Sequence, residues 1–262
     1  MIKNQFYFSE VTLLITHYNR SASLEKLLKT FKDQNCEFGD IVVSDDASKP
    51  EHLEKIKNLQ NSYSFRLITA KKNGGLGNNI NKGQDAVITP YTLYVQEDFV
   101  PTEEFAANFQ EAYNIMKERP DFDIIRFYAY FKYPYLKPFR NEFSEMIFKS
   151  WYPGYMKFYY YSDHPHLRHS NFLQKFGRYA EGQNVDKTEY RMCISFIQKK
   201  GKGLFHNKFN KLFLQMNSSL EPSTASYRPN WRTQKNALVL LLRAFYLQFK
   251  YIKCHVDLVF MK

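Results

Sequence analysis

Glu97 and Asp98 stand side by side directly after the apolar run YTLYV and Gln96, and a second acidic pair, Asp45 and Asp46, follows the run IVVS. Neighbouring carboxylates raise one another's pKa and repel anions unless a cation sits with them. A hard divalent ion, Mn2+ or Mg2+, meets that need, because such ions take carboxylates together with phosphate oxygens of a substrate. Four acids gathered at one edge therefore read as a place for a metal and a diphosphate. Two other patterns do not carry chemistry. The histidines of HPHLRH have no cysteine nearby and lie at a spacing poorly suited to a closed zinc site. The run GGLG lacks the G-x-G-x-x-G spacing of a dinucleotide loop after the first strand.

These acids can meet only if the elements bearing them are arranged to let them. VTLLITHY is a short β-branched run bounded by polar residues and reads as a buried strand. SASLEKLLKTFKDQ follows with Leu24, Leu27, Leu28 and Phe31 at helical spacing, and Ser21 or Ser23 is placed to cap it. DIVVSDDAS is a second strand, PEHLEKIKNLQ a helix opened by Pro50, SFRLITA a third strand, and YTLYVQED a fourth. Between the last two, a glycine- and asparagine-rich loop leads into a helix near NKGQDAV. Such alternation predicts an α/β fold with a mostly parallel sheet and right-handed crossovers. In that fold ligands bind beyond the carboxyl ends of the strands, where Asp45, Asp46, Glu97 and Asp98 would share a crevice.

Beyond Pro101 the pattern predicts a helix from Thr102 to about Lys117, a strand in DIIRFYAYFKY, an irregular stretch over 134–165, a helix in HLRHSNFLQKFG and another in TEYRMCISFIQKKG. GLFHNKFNKLFLQM reads as strand then turn, and SSLEPSTASYRPN as a linker. The chain has 262 residues, enough for one large α/β domain or two small ones, and its 44% apolar content supports a real core. Three cysteines far apart argue against a disulfide framework and suit a reducing compartment. The first twenty residues do not read as a signal peptide, and no run is long enough to span a bilayer. The net charge of +11 is carried almost wholly after residue 120, which points to an anionic partner.

Four stretches, ITHYNR with LEKLLKTF, IVVSDDAS, NGGLGNNINKG and YVQEDFVP, come in the order and spacing of family 2 glycosyltransferases of the GT-A fold, and the sequence resembles that family most clearly over residues 10–105. The resemblance implies a nucleotide-sugar donor, UDP-linked by family habit, and an inverting transfer to a hydroxyl. It implies that Asp45 or Asp46 contacts the nucleotide, that Asn73, Gly75 and Asn81 lie beside it, and that Thr16, Tyr18, Arg20, Gln96 and Glu97 complete the nucleotide side. Asp98 matches the last carboxylate of the family's Asp-x-Asp motif and would hold the metal; Gln96 replaces the first. Ile80 stands where the family often carries arginine. Glu189 in KTEYRM matches the acceptor-side base, with Asp186 and Glu181 as rivals, and His206 matches a later histidine near the metal. Residues 1–217 then form the catalytic domain, with a donor half over 1–100 and an acceptor half over 101–217, followed by a linker and basic helical tail over 218–262.

The tail alternates Arg232, Lys235, Arg243, Lys250 and Lys253 with Leu, Phe and Tyr. Arg243 interrupts the apolar run, so the tail suits lying in the surface of an anionic bilayer; packing on the catalytic domain or in a homodimer is the alternative. The expected setting is the cytoplasmic face of a cell membrane, with a glycan or lipid-linked acceptor for a bacterial surface polysaccharide. Two other functions stay open at this level. A metal-dependent nucleotidyltransferase would normally place a basic glycine-rich loop after the first strand, which THYNRSAS does not provide. A nucleic-acid binder built on basic and aromatic residues would give Asp98 no role, and nucleic acid is not expected as a partner.

Overall fold

The computed structural model describes residues 5–216, 221 and 236–261. The linker expected over 218–230 lies outside the described residues except for Glu221, and so do Arg232 and Lys235 of the expected tail. The first half alternates as the sequence predicts: β1 (Phe6–His17), α1 (Ser21–Asp33), β2 (Cys36–Asp45), α2 (Pro50–Leu59), β3 (Arg66–Thr69), α3 (Gly75–Asp85) and β4 (Tyr91–Gln96). β1 pairs in parallel with β2 and β4, and β2 with β3. From Val11 to His17 every residue of β1 is buried, because helices cover both faces of the sheet. The period of two then sorts the side chains into two cores. Leu13, Ile15, Leu93 and Val95 join Leu24, Phe31, Phe105 and Phe109 on one face. Leu14, Tyr94 and Ile80 join Met192 and Phe196 on the other.

The second half is β5 (Phe99–Pro101), α4 (Phe105–Glu118), β6 (Ile124–Arg126), β7 (Leu136–Arg140), β8 (Phe143–Met146), a 3-10 turn at Tyr155–Phe158, β9 (His166–His169), α5 (Phe172–Phe176), α6 (Val185–Gln198), β10 (Gly203–His206), β11 (Phe213–Gln215) and α7 (Ala237–Phe260). The main sheet has nine strands in the order β3-β2-β1-β4-β9-β6-β10-β8-β7, and β5 pairs with β11 separately. This is the mostly parallel α/β architecture expected from the pattern, with a helical C-terminal extension.

Four local readings change. The predicted helix over HLRHSNFLQKFG is split, and its first part is β9, an antiparallel strand between β4 and β6. Its polar residues disguised a fully enclosed strand: Arg168 is buried because its guanidinium donates to Tyr179 Oη at 2.6 Å and Gln84 Oε1 at 2.7 Å. The stretch expected to be irregular holds the β7–β8 hairpin. β6 covers only three residues of DIIRFYAYFKY. The glycine-rich loop is itself helical, since α3 starts at Gly75 rather than near Lys82.

α3 tolerates those glycines because they permit close approach. A Cβ on Gly77 would lie 2.3 Å from the carbonyl oxygen of Ala180. Gly77→Ala should therefore cost about 1–3 kcal/mol through overpacking against backbone. Urea unfolding measures it, and a midpoint equal to that of the wild type would contradict the close contact.

Candidate active site

The strand register places the acidic tips. His17 pairs with Asp45 across β1–β2, and Thr16 pairs with Gln96 across β1–β4. Asp45 and Glu97 therefore stand at the same carboxyl edge, two strand spacings apart, about 10 Å. The intervening position belongs to His17. The backbone N–H of Arg20 donates to His17 Nε2 at 3.1 Å, so the ring proton sits on Nδ1 and faces Asp45 Oδ1 at 2.8 Å. Ser48 N–H donates to Asp45 Oδ2 at 3.0 Å. Burial pushes the Asp45 carboxyl up, but the hydrogen bonds from His17 and Ser48 outweigh it and hold the group below its ordinary value.

Asp46 turns to the next element. Its two oxygens accept the N–H groups of Gly74 and Gly75 at 2.9 and 2.8 Å, which caps α3 from a neighbouring strand. The turn between these acids is strained, with Ala47 at φ 59°, as is Asn19 at φ 54° after β1. Asn73 Oδ1 also accepts Gly75 N–H at 3.1 Å. An open cleft of about 490 Å³ lies against Asn73, Gly75 and Glu181. Asn81 faces away from it, donating to Tyr179 O and Glu181 Oε1. Thr16 Oγ1 meets Tyr94 Oη at 3.1 Å in the layer beneath the edge, and Tyr18 is half-buried.

Glu97 and Asp98 form the turn between β4 and β5, and both are buried. The chain does not stop at Pro101: Phe99–Pro101 pairs with Phe213–Gln215, which carries Gln215 over the acid pair. Arg20 Nη1 lies 3.0 Å from Asp98 Oδ2 and 3.8 Å from Glu97 Oε1. Its Nη2 donates to the carbonyls of Met216 and Glu221 at 3.3 and 3.1 Å. Gln215 Nε2 donates to Asp98 Oδ2 at 3.0 Å. Asp98 Oδ1 is buried with no hydrogen-bond partner among the described residues. Burial, then the adjacent Asp98 charge, pushes Glu97 up to about 8 against the pull of Arg20. A bare carboxylate oxygen beside a carboxyl too costly to ionise suits a divalent cation, which would be held by Asp98 with Glu97 beside it and would neutralise a diphosphate. Among the described residues no group of three or more His, Cys, Asp or Glu side chains is placed to hold a metal, so substrate oxygens would complete the shell.

The structure does not bring His206 to this pair. It ends β10, three strands from β4, and its Nε2 lies 3.0 Å from Asn108 Oδ1 on α4. The acceptor-side candidates do come near. Because β9 runs antiparallel to β4, the residues just before it return to the acidic edge, and Gln96 Nε2 donates to Asp163 O at 3.3 Å. Ser162 Oγ donates to Glu189 Oε1 at 2.8 Å. Glu189 stands in the second turn of α6, past the first turn, where Asp186 sits exposed. Glu181 is held by Asn78 and Asn81, whose hydrogen bonds lower its pKa.

Residues 12–181 match the family described as Glycosyl transferase family 2. The chain belongs to that family. This family 2 member shares its fold with S. aureus TarS residues 1–349 in complex with UDP-GlcNAc, at 14% identity and a TM-score of 0.60, over 88% of this chain and 66% of that one. It also resembles GalNAc-T7 with UDP, GalNAc and Mn2+, at 14% identity and a TM-score of 0.55, over 75% of this chain and 42% of that one. The chain spans 36% of the longer TarS structure. No curated protein sequence matches it.

Sequence reasoning missed His17, Asp163, Gln215 and Glu221 at this edge. The Glu221 carboxylate accepts the N–H groups of Ala22 and Ser23, both at 2.9 Å, and so caps α1 in place of Ser21 or Ser23. These four residues are set by contacts far apart in sequence, which no motif signals.

The raised pKa of Glu97 gives a stability test. Its protonated form stabilises the fold below the ordinary glutamate value, and that contribution is lost as pH rises towards about 8. Glu97→Gln should melt progressively higher than wild type across that window, with a constant gap above it. A melting gap that does not change with pH would show that folding leaves the pKa of Glu97 unraised.

Proposed function

We propose that this glycosyltransferase moves a sugar from a UDP-linked donor to a hydroxyl of a glycan or lipid-linked acceptor in polysaccharide assembly, inverting the anomeric carbon. The observation that supports it most is the acid pair Glu97–Asp98, with its bare Oδ1, facing the same edge as Glu189 across the return of the chain at Ser162–Asp163. The neighbours bound to UDP-GlcNAc and to UDP with Mn2+ support the donor class and the metal.

The residues divide the work. Asp98 would hold Mn2+ or Mg2+, whose charge would supply electrostatic stabilisation to the departing diphosphate. Arg20 positions Asp98 from the other oxygen. The cleft beside Asn73 and Gly75 takes nucleotide, while Asp46 holds that loop in shape. Glu189 removes the acceptor's hydroxyl proton as the new oxygen–carbon bond forms and the carbon–phosphate oxygen bond breaks, the diphosphate leaving with the electron pair. Asp186, exposed in the first turn of α6, is the rival base.

α7 supports a membrane contact. One face docks: Gln198 Nε2 donates to Leu258 O, Tyr190 Oη to Asp257, and Lys250 Nζ to Tyr159 Oη at 2.8 Å. The other face leaves Leu241, Leu242, Phe245, Phe249 and Ile252 exposed, with Lys253 exposed at its border and paired with Asp257. No helix among the described residues is long and apolar enough to cross a membrane. The helix therefore lies along an anionic surface.

Two experiments follow. UDP release from UDP-GlcNAc with Mn2+ should fall by about 10²-fold or more in Asp98→Ala; equal rates would remove Asp98 from the reaction. Co-sedimentation with phosphatidylglycerol vesicles, but not with phosphatidylcholine vesicles, should be lost in a Leu241→Glu, Phe245→Glu variant. Retained binding would place the contact elsewhere.

A further inference from the structure

Asp163 is a carboxyl that the reaction outlined above leaves unused. It is 4% exposed, lies at the start of the return towards β9, and offers its backbone carbonyl to Gln96 at the acidic edge. Its side chain hydrogen-bonds Glu189. Its Oδ2 has no hydrogen-bond partner among the described residues. Two carboxyl groups can hydrogen-bond only when one of them holds the proton, and burial favours the neutral form on the deeper one: Asp163 is buried whereas Glu189 is half-buried and already accepts from Ser162.

We propose that Asp163 is a protonated positioning residue, donating its carboxyl hydrogen to Glu189 and, together with Ser162, fixing the Glu189 carboxylate in the orientation that receives the acceptor's proton.

This deepens the reading of Glu189 as base and rests on it. The surroundings agree. Burial, then the Glu189 charge, drives Asp163 well above its ordinary value. From α6, Asp186 adds repulsion and Cys193 is a buried thiol pushed well up by the same burial. From the sheet, Arg126 faces Glu189 while donating to Tyr159 O at 2.9 Å. His164 is driven down to about 3 by burial and then by Arg126, so it is neutral. It shares the Ser162 hydroxyl with Glu189, its Nδ1 lying 2.7 Å from Ser162 Oγ. Tyr94, Tyr161 and Tyr179, each raised by burial, complete the wall as neutral phenols. Arg126 and Arg168, the latter bonded to Tyr179, are the fixed positive charges behind this wall, and Arg126 is the one that faces Glu189. Ser162 and Asp163 thus hold Glu189 with two donors.

The test reads the shared proton directly. Infrared difference spectra are taken at neutral pH in a Glu97→Gln background, which removes the other buried protonated carboxyl. The protonated-carboxyl carbonyl band should vanish in Asp163→Asn and change frequency in Glu189→Gln, where its acceptor becomes an amide. A band that survives Asp163→Asn, or that ignores Glu189→Gln, overturns the proposal. Kinetics with UDP-GlcNAc and Mn2+ supply a second arm. Asp163→Ala should lose about 10²-fold in kcat from misplacement of the base, Asp163→Asn should retain most activity because its amide still donates, and Asp163→Ala with Glu189→Gln should be no worse than Glu189→Gln alone. Multiplying losses in the double variant overturn the positioning role. A Glu189→Gln enzyme with wild-type turnover instead ends the base reading, and the infrared arm still decides where the proton lies. Circular dichroism of each variant confirms the fold.

Discussion

Two carboxylates in succession at the end of a buried strand cannot both remain ionised without positive charge beside them, and the geometry of this edge follows from that need. Arg20 supplies the charge from the β1–α1 turn, meeting Asp98 at 3.0 Å and Glu97 at 3.8 Å. Its second nitrogen ties down the carbonyls of Met216 and Glu221, so the same guanidinium that steadies the acids also fixes the chain leaving β11. One oxygen of Asp98 is left bare by this arrangement. The acid turn is thereby shaped in advance and retains the capacity to take a cation, at a cost in stability concentrated on Glu97.

The other acids of the edge serve the scaffold first. Asp45 orients His17, and His17 in turn accepts the N–H of Arg20. Asp46 caps α3 and so shapes the loop that lines the cleft. These are supporting hydrogen bonds of the kind that hold a site within a fraction of an ångström. On the acceptor side the same logic recurs: Ser162 and Asp163 hold Glu189, and Asn78 and Asn81 hold Glu181. The buried arginines Arg126 and Arg168 lie behind this wall, so positive charge in the core faces negative charge at the rim.

α7 continues the division between docked and unclaimed surface. Lys157 is fully buried beneath it, donating to the carbonyls of Ser150 and Tyr152 and lying 3.1 Å from His255 Nε2. His255 is driven down by burial and then by Lys157, and so accepts as a neutral ring. The docked face combines these polar contacts with buried Cys254 and the packing of Tyr251 and Leu258, and the opposite face, rich in leucine and phenylalanine, is exposed.

The sequence by itself determined the first half of the fold. Leu24, Leu27, Leu28 and Phe31 needed no tertiary information to be read as the buried stripe of α1, and the β-branched runs at 11–17 and 41–45 no more to be read as strands, because burial of apolar side chains follows the 3.6 and 2.0 periods of the local backbone. The same runs fixed which acids lie at strand ends, and so placed Asp45, Asp46, Glu97 and Asp98 at one edge. Tertiary structure alone decided the rest. β9 was unreadable because His166 and Arg168 are buried by partners at positions 84, 164 and 179, which no local period encodes. The cap of α1 comes from Glu221, about two hundred residues away, and the proton partner of Glu189 comes from a loop on another strand. Hydrophobic pattern is a property of neighbours along the chain; satisfaction of a buried charge is a property of neighbours in space.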